Sequence, residues 1–380
     1  VRVDAIVGTS DARAAADALE LAIILPTFRE AGNVEEVVRR LDAALVGIAW
    51  EAIFVDDNSP DGTGERVREL GRRDRRIRCL ERVGRRGLAS ACLEGILATS
   101  APIVAVMDAD LQHDERLLPQ MLERLRCSAG LDIVIGSRFV DGGSAGGLSR
   151  ERASKSKLAA RLSQGLIAAE LKDPMSGFFM LRIDVLREVL PSLSAVGFKL
   201  LLDIFASARR PLAFEELPYH FRERASGASK LDRAIALEYL ILLYDKAFGR
   251  FVPTRFALFA AIGGLGVGVH FAILTFLFKA LGEGFGTSQT IATLGAMTFN
   301  FFLNNALTYR DKQLRGRRRL FLGWLSFCLV CGIGAAANVG VSTFLFEYQG
   351  ALWTLSALAG VLVGAVWNFA LSSRFTWGRY

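Results

Sequence analysis

With 380 residues, 52% of them hydrophobic, the chain is too long for one small core and divides into two or three units. Its formal charge of +7 comes from 46 basic against 39 acidic side chains, but no basic run is interleaved with aromatic residues, which argues against a nucleic acid partner. The five cysteines, Cys79, Cys92, Cys127, Cys328 and Cys331, form no metal framework; Cys328 and Cys331 have C-x-x-C spacing but fall inside a long apolar stretch, so all five read as small packing residues.

In chain order, residues 1–20 lack a long apolar core and read as an N-terminal arm without a secretory signal. Leu21 to Leu25 is an apolar run ending at Pro26, Glu35 to Leu45 has helical periodicity, and Ala52 to Val55 is a second apolar run ending at Asp56 and Asp57. A helix near Gly64 to Arg73, a strand near Ile77 to Glu81, a helix near Gly87 to Thr99 and a strand from Pro102 to Met107 follow. Strands and helices in alternation predict an α/β domain with a mostly parallel, Rossmann-like sheet, and ligands at the carboxyl ends of its strands. Asp132 to Ile135 reads as a further strand ending in Gly136-Ser137-Arg138. The stretch Asp141 to Gly147, with four glycines, predicts a mobile loop, and a long basic helix is expected from about Arg150 to Glu170.

The composition changes after residue 230. Leu231 to Phe248 mixes apolar residues with Asp, Arg, Glu and Lys and reads as an amphipathic helix at a membrane interface, so 231–255 is a connector and 256–380 a separate domain. Four apolar stretches, Phe256 to Leu281, Gln289 to Tyr309, Leu320 to Phe346 and Ala351 to Ser373, each approach or exceed the ~20 residues needed to cross ~30 Å of hydrocarbon. Arg250 and Arg255 precede the first, a loop rich in arginine from Arg310 to Arg319 joins the second to the third, and Arg374 and Arg379 flank the end of the fourth. Gly282 to Ser288 and Glu347 to Gly350 carry no Lys or Arg. This asymmetry predicts a multi-pass protein of the inner (plasma) membrane with both termini and the N-terminal domain in the cytoplasm. It also accounts for much of the net charge; the remainder suits anionic lipid headgroups and phosphate substrates.

The membrane part repeats itself. Thr275-Phe276-Leu277-Phe278 returns as Thr343-Phe344-Leu345-Phe346, Gly264 and Gly266 as Gly332 and Gly334, and Asn300-Phe301 with Thr308 as Asn368-Phe369 with Thr376, all at one offset. Two similar hairpins predict a four-helix bundle in which His270, Asn300, Asn304, Asn305, Asn338 and Asn368 face inward. Hydrogen bonding between helices and a path for a lipid-linked headgroup are both readings of those polar residues.

Chemistry enters at strand ends. Asp108-Ala109-Asp110-Leu111-Gln112 puts two carboxylates and an amide oxygen at alternate positions after an apolar strand, hard ligands suited to Mg²⁺ or Mn²⁺ bridging phosphate oxygens. Alone, a D-x-D is common. It stands, however, beside Leu25-Pro26-Thr27-Phe28-Arg29-Glu30, Val55-Asp56-Asp57-Asn58-Ser59-Pro60-Asp61-Gly62-Thr63, Gly136-Ser137-Arg138, Asp173-Pro174-Met175-Ser176-Gly177-Phe178 and Phe221 to Leu231. Together these resemble family 2 glycosyltransferases of the GT-A fold, more narrowly the polyprenyl-phosphate (dolichol-phosphate) sugar synthases, over about Leu21 to Leu231. The membrane part resembles the GtrA-like four-helix domain.

The resemblance implies an enzyme that moves a hexose from a nucleotide sugar to a polyprenyl phosphate. Pro26, Thr27 and Glu30 would contact the nucleoside, and Asp57 the base or ribose, unless Asp57 only caps its turn. Phe28 and Arg29 depart from the commoner P-T-Y-N-E. Asp108 would lie near the ribose or the metal, with Asp110 and Gln112 as metal ligands; His113 reads as an exposed loop histidine or, alternatively, as a group that supports those ligands. Arg138, Arg152, Ser156 and Ser229 would hold the acceptor phosphate, and Lys157, Arg224 and Lys230 would lie near the diphosphate or acceptor. Asp110, Arg138 and Arg152 are the residues on which catalysis is expected to depend. The acceptor phosphate is already anionic, so no general base is required and in-line attack inverts the anomeric carbon. The string Asp57-Asn58-Ser59-Pro60-Asp61-Gly62-Thr63 favours GDP-mannose over UDP-glucose as donor. A UDP-sugar transferase, a translocation or scaffold protein, and a soluble nucleotidyltransferase are the rival readings; membrane lipids, and a second copy in a homo-oligomer, complete the expected partners.

Overall fold

The computed structural model describes residues 18–84, 87–144, 146, 167, 169–194, 199–222, 241–249, 251–345, 349 and 352–378. They fall into two compact units, one through Ala247 and one from Phe248 onward.

The first unit is built on β1 (Leu21–Thr27), α1 (Val34–Ala44), β2 (Trp50–Asp56), α2 (Thr63–Arg73), β3 (Ile77–Glu81), α3 (Leu88–Leu97), β4 (Ile103–Val106), α4 (Leu118–Cys127), β5 (Ile133–Ser137), β6 (Phe179–Arg182), α5 (Ile183–Val189), α6 (Leu200–Ser207) and β7 (Phe214–Pro218). The strands make one seven-stranded sheet in the order β3-β2-β1-β4-β6-β5-β7. β1 pairs in parallel with β2 from Leu21↔Trp50 to Thr27↔Asp56 and with β4 from Leu21↔Ile103 to Ile24↔Val106. β6 is antiparallel to both β4 and β5. The chain thus leaves β1 toward one edge and returns on the other side, so the order reverses between β1 and β4, the kind of switch point at whose carboxyl ends α/β sheets bind ligands.

Strand periodicity explains why these runs are apolar throughout. Ala22, Ile24, Ile53, Val55, Val104 and Val106 face one way and bury against Cys92 and Ile96 of α3. Leu21, Ile23, Ala52, Phe54, Ile103 and Ala105 face the other way, against Val37 and Leu41 of α1 and Met121 and Leu122 of α4. Each such buried aliphatic side chain contributes about 1.5–3 kcal/mol. β6 and β7 were not anticipated by the sequence reading.

The glycine-rich stretch, expected as a mobile loop, is at its described positions a turn fastened to the sheet. Ser144 donates its N–H to Tyr219 O and accepts from Phe221 N–H. A side chain on Gly143 would place its Cβ 2.8 Å from the Ser137 carbonyl oxygen, so only glycine lets this turn lie against the Ser137–Arg138 backbone. Residues 241–247 are helical and belong to the first unit: Leu242 is buried in its core, and Lys246 pairs with the buried Asp203 at 2.6 Å.

The second unit holds α7 (Thr254–Thr275), α8 (Phe285–Leu303), α9 (Arg317–Thr343) and α10 (Trp353–Leu371). Thr254–Ala280 and Arg317–Ala337 are long and apolar enough to cross a bilayer. α8 and α10 are each 19 residues and run on into single π-helical turns, Asn304–Thr308 and Ser372–Thr376.

The internal repeat is a repeat of geometry. The two π turns fall at matching positions, and a Cβ on Gly266 or on its counterpart Gly334 would meet the side chain of Asn300 or of its counterpart Asn368. Small residue and carboxamide interlock the same way in both hairpins. The hairpins also meet through equivalent residues. Tyr309 stacks on Trp377 with centroids 4.1 Å apart, and Phe259 meets Phe327 at 6.4 Å. Tyr309 Oη bonds Ser373 Oγ at 2.6 Å, while Trp377 Nε1 donates to Asn305 Oδ1 at 3.1 Å, the same contact with the hairpins exchanged. Asn304 and Asn305 are buried as expected, and His270 is partly buried. The Asn338 side chain lies outside the described residues.

Candidate active site

Three described non-glycine residues have left-handed backbone conformations, and all three lie just past strand ends: Arg29 (φ 65°) after β1, Asn58 (φ 55°) after β2 and Leu111 (φ 65°) after β4. Such backbone costs energy and is found where a loop must present groups in one fixed way. The β1 and β2 loops are laced together: Arg29 N–H donates to Ser59 Oγ (2.9 Å), Glu30 N–H to Thr63 Oγ1 (3.0 Å), and Ala31 N–H to Asp61 Oδ2 (3.3 Å). Asparagine tolerates this conformation better than arginine. Arg29→Asn should therefore raise stability by about 0.5–1 kcal/mol, read as a shift in the denaturation midpoint of the full-length protein in detergent.

Pro26 and Thr27 are buried at the end of β1, where the Thr27 hydroxyl has no hydrogen-bond partner among the described residues. Ser137 Oγ and Tyr219 Oη, at the ends of β5 and β7, are orphaned likewise. Asp57 is already engaged at both oxygens: Oδ1 accepts from Arg82 Nη1 (2.7 Å) and Oδ2 from Gly87 N–H (2.9 Å). Burial pushes its carboxyl up against the opposing pull of Gly87 and Arg82. Asp57 therefore braces the β2 loop through Arg82, a nearly inaccessible arginine that the sequence reading did not single out.

Asp108 opens to solvent with its side chain 36% exposed, whereas Asp110 is buried and accepts from Gln112 N–H at 3.2 Å. Gln112 spends its amide nitrogen on Arg222 O (3.0 Å), which leaves the carboxamide oxygen as the ligand atom. Two carboxylates and that oxygen within five residues are hard donors of the type that Mg²⁺ or Mn²⁺ takes.

His113 is not exposed. It is 3% accessible, stacked on Phe178 at 5.1 Å and edge-on to Tyr219 and Phe221. Its Nδ1 accepts the Asp108 N–H (3.1 Å), which places the ring proton on Nε2, 3.9 Å from Asp108 Oδ2. Burial pushes its pKa down to about 4, so it stays neutral and fixes the backbone of Asp108.

Arg138, at the end of β5, is gripped by Asp173, whose carboxylate accepts from Nε and Nη2 at 2.7 Å each and from the Arg138 backbone N–H. Asp173 is fully buried and its own N–H donates to Glu216 Oε1 of β7. Burial disfavours the guanidinium charge but Asp173 outweighs it, so the pKa is raised. The bidentate edge expected to meet a phosphate is thus occupied by a carboxylate, and Nη1 is the donor group that this pair leaves over. Phe139 and Phe221 lie within cation–π range of the same guanidinium. Arg152, Ser156, Lys157, Arg224, Ser229 and Lys230 lie outside the described residues.

Residues 22–190 match glycosyl transferase family 2, and residues 258–377 match the GtrA/DPMS transmembrane domain. A dolichol-phosphate mannosyltransferase of Pyrococcus furiosus is 33% identical over 94% of this chain and 99% of its own length. The dolichol-phosphate mannosyltransferase of Saccharomyces cerevisiae is 32% identical over 63% of this chain and 92% of its own, and the polyprenol monophosphomannose synthase of Mycolicibacterium smegmatis 31% identical over 55% and 80%. With strand-end carboxylates, a braced arginine and a bundle of apolar helices on one polypeptide, this chain belongs to the dolichol-phosphate mannosyltransferase family, as a family 2 glycosyltransferase joined to a GtrA/DPMS transmembrane domain.

Proposed function

We propose that this enzyme transfers mannose from GDP-mannose to a polyprenyl phosphate at the cytoplasmic face of the membrane, with inversion at the anomeric carbon. The observation that carries the reading is that Asp108, Asp110 and Gln112 follow β4 while an Asp173-braced Arg138, within electrostatic reach of Asp108, ends β5 of the same sheet, on a chain that continues into apolar helices.

The chemistry follows from charge. The acceptor phosphate is anionic at neutral pH and attacks without losing a proton, so the protein's task is to hold two anions in line and to exclude water. Arg138 is preorganised for this: Asp173 fixes its plane, so little side-chain entropy is lost when Nη1 meets an oxygen. Arg152, Ser156 and Ser229 complete the acceptor contacts in this reading, and Arg224 and Lys230 those to the diphosphate. Asp108, Asp110 and Gln112 would hold a divalent ion, which would supply charge neutralisation for the departing nucleoside diphosphate. Pro26, Thr27, Glu30 and the Asp57 loop take the nucleoside.

Orientation rests on the basic residues. Arg255, Arg310, Lys312, Arg315, Arg317, Arg318, Arg319 and Arg374 lie at one set of helix ends, and among the described residues Lys279 alone lies at the other. That asymmetry supports a cytoplasmic position for the first set and, with it, for the catalytic unit.

The test is transfer of label into organic solvent from GDP-mannose and, separately, UDP-glucose, with purified full-length protein, a short polyprenyl phosphate and Mg²⁺ or Mn²⁺. Label from GDP-mannose alone is expected. Label from UDP-glucose alone would replace the donor assignment, and transfer from neither would remove the reading.

A further inference from the structure

Lys199 immediately precedes α6, and nothing in its local sequence marks it. Among the described residues its ammonium makes one hydrogen bond, to the carbonyl oxygen of Met175 at 3.3 Å, and forms no ion pair with a carboxylate. Met175 lies on the same short segment as Asp173, which grips Arg138, and Gly177, which packs beside Asp108: a Cβ there would lie 3.5 Å from Asp108 Oδ2. The charges within electrostatic reach of Lys199 are Arg138, Asp173 and Asp108. Asp173 is already engaged bidentately by Arg138, and its pull on Lys199, with that of Asp108, is outweighed by burial and by the repulsion of Arg138. A partly buried ammonium beside a guanidinium, with two donor positions unfilled and no carboxylate in ion-pair contact among the described residues, is costly unless something anionic arrives. The protein holds it in place all the same: α6 is fastened at Asp203, which pairs with Lys246 of segment 241–247 and accepts from Ser194 N–H.

We propose that Lys199 contacts a phosphate oxygen of the reaction, as a further anion-binding residue beside Arg138. The inference rests on the transferase reading above. The phosphate is either that of the lipid acceptor or the sugar-bearing phosphate of the donor; both are anions that fill the same electrostatic gap. Desolvation, with Arg138, pushes the lysine's pKa down to about 8, which leaves the ammonium charged at neutral pH and makes the gap one that a phosphate closes.

Lys199→Gln and Lys199→Arg in the full-length enzyme test this. Loss of a charge-assisted hydrogen bond to phosphate predicts that Lys199→Gln lowers kcat/KM about 10- to 100-fold, and that Lys199→Arg recovers most of it. A KM increase confined to the prenyl phosphate assigns the acceptor, and one confined to GDP-mannose assigns the donor. The folded protein disfavours a charged Lys199 below pH 8, so Lys199→Gln should melt at the same temperature or higher at pH 7 even as activity falls. A purely structural lysine would lose both. The proposal is overturned if Lys199→Gln keeps both KM values and kcat within twofold of wild type, or if melting temperature and activity fall together and Lys199→Arg restores neither. Thermal shifts by GDP and by a short prenyl phosphate need no turnover. If wild type transfers no sugar, a shift present in wild type and missing in Lys199→Gln still supports the phosphate contact, and equal shifts overturn it.

Discussion

Asp110→Asn should lower turnover at least about a thousandfold, equivalent to roughly 4 kcal/mol of transition-state stabilisation, while the protein stays folded. The two halves of that expectation come from different atoms. Asp110 is buried, and its Oδ1 accepts the N–H of Gln112, an acceptor that an asparagine oxygen can replace without moving the turn. What asparagine cannot replace is the negative charge, which a hard divalent cation on this donor set requires. The variant should need a much higher concentration of Mg²⁺ or Mn²⁺ for residual transfer and should melt within a few degrees of wild type. Turnover within tenfold of wild type would mean that the charge on Asp110 is dispensable and that the donor set has been misassigned.

Asp173→Ala should be the most destabilising single change in the site, at about 3–5 kcal/mol, because it leaves the Arg138 guanidinium buried without its counter-ion. Asp173 is wholly inaccessible and engages two guanidinium nitrogens and one backbone N–H of Arg138. Water cannot replace those bonds cheaply in so closed a position. The revealing comparison is the double variant Asp173→Leu with Arg138→Met, which removes both charges: denaturation should show most of the lost stability returning, whereas transfer should not return. Equal instability of single and double variants would make Asp173 a packing residue rather than the partner of a charge.

The parts of the fold that the sequence announces are those whose signal is local. β1, β2 and β4 are buried on both faces and read as unbroken apolar runs, and the carboxylates that follow them are conspicuous for that reason. β7 is different. Its sequence, Phe214-Glu215-Glu216-Leu217-Pro218, lies at the edge of the sheet and has two charges in five residues. One of them, Glu216, accepts the N–H groups of Lys172 and Asp173, a use visible only when segments more than forty residues apart are brought together.

His113 fails to show itself for the same reason. Flanked by Gln112 and Asp114 it has the polarity of a surface loop, and the rings that enclose it come from Phe178, Tyr219 and Phe221. Arg82 and Lys199 acquire their meaning from Asp57 and from the Met175 segment, neither of which is adjacent in sequence. A motif marks the residues that follow strands, whereas those that reach the strand ends from elsewhere carry no such mark.

The duplicated hairpin of the second unit has a thermodynamic consequence. Tyr309 against Trp377 and Phe259 against Phe327 are contacts of equivalent positions, the arrangement by which a surface recognises itself across a two-fold axis. Were the hairpins separate molecules, their pairing would depend on concentration in the bilayer and would compete with like pairing, α7–α8 with another α7–α8. Joined end to end, each finds its mate at a local concentration of about millimolar whatever the expression level. The tether also frees the two halves to diverge: Tyr309 and Trp377 need fit only each other, and differences accumulated on one side are matched on the other within the same chain.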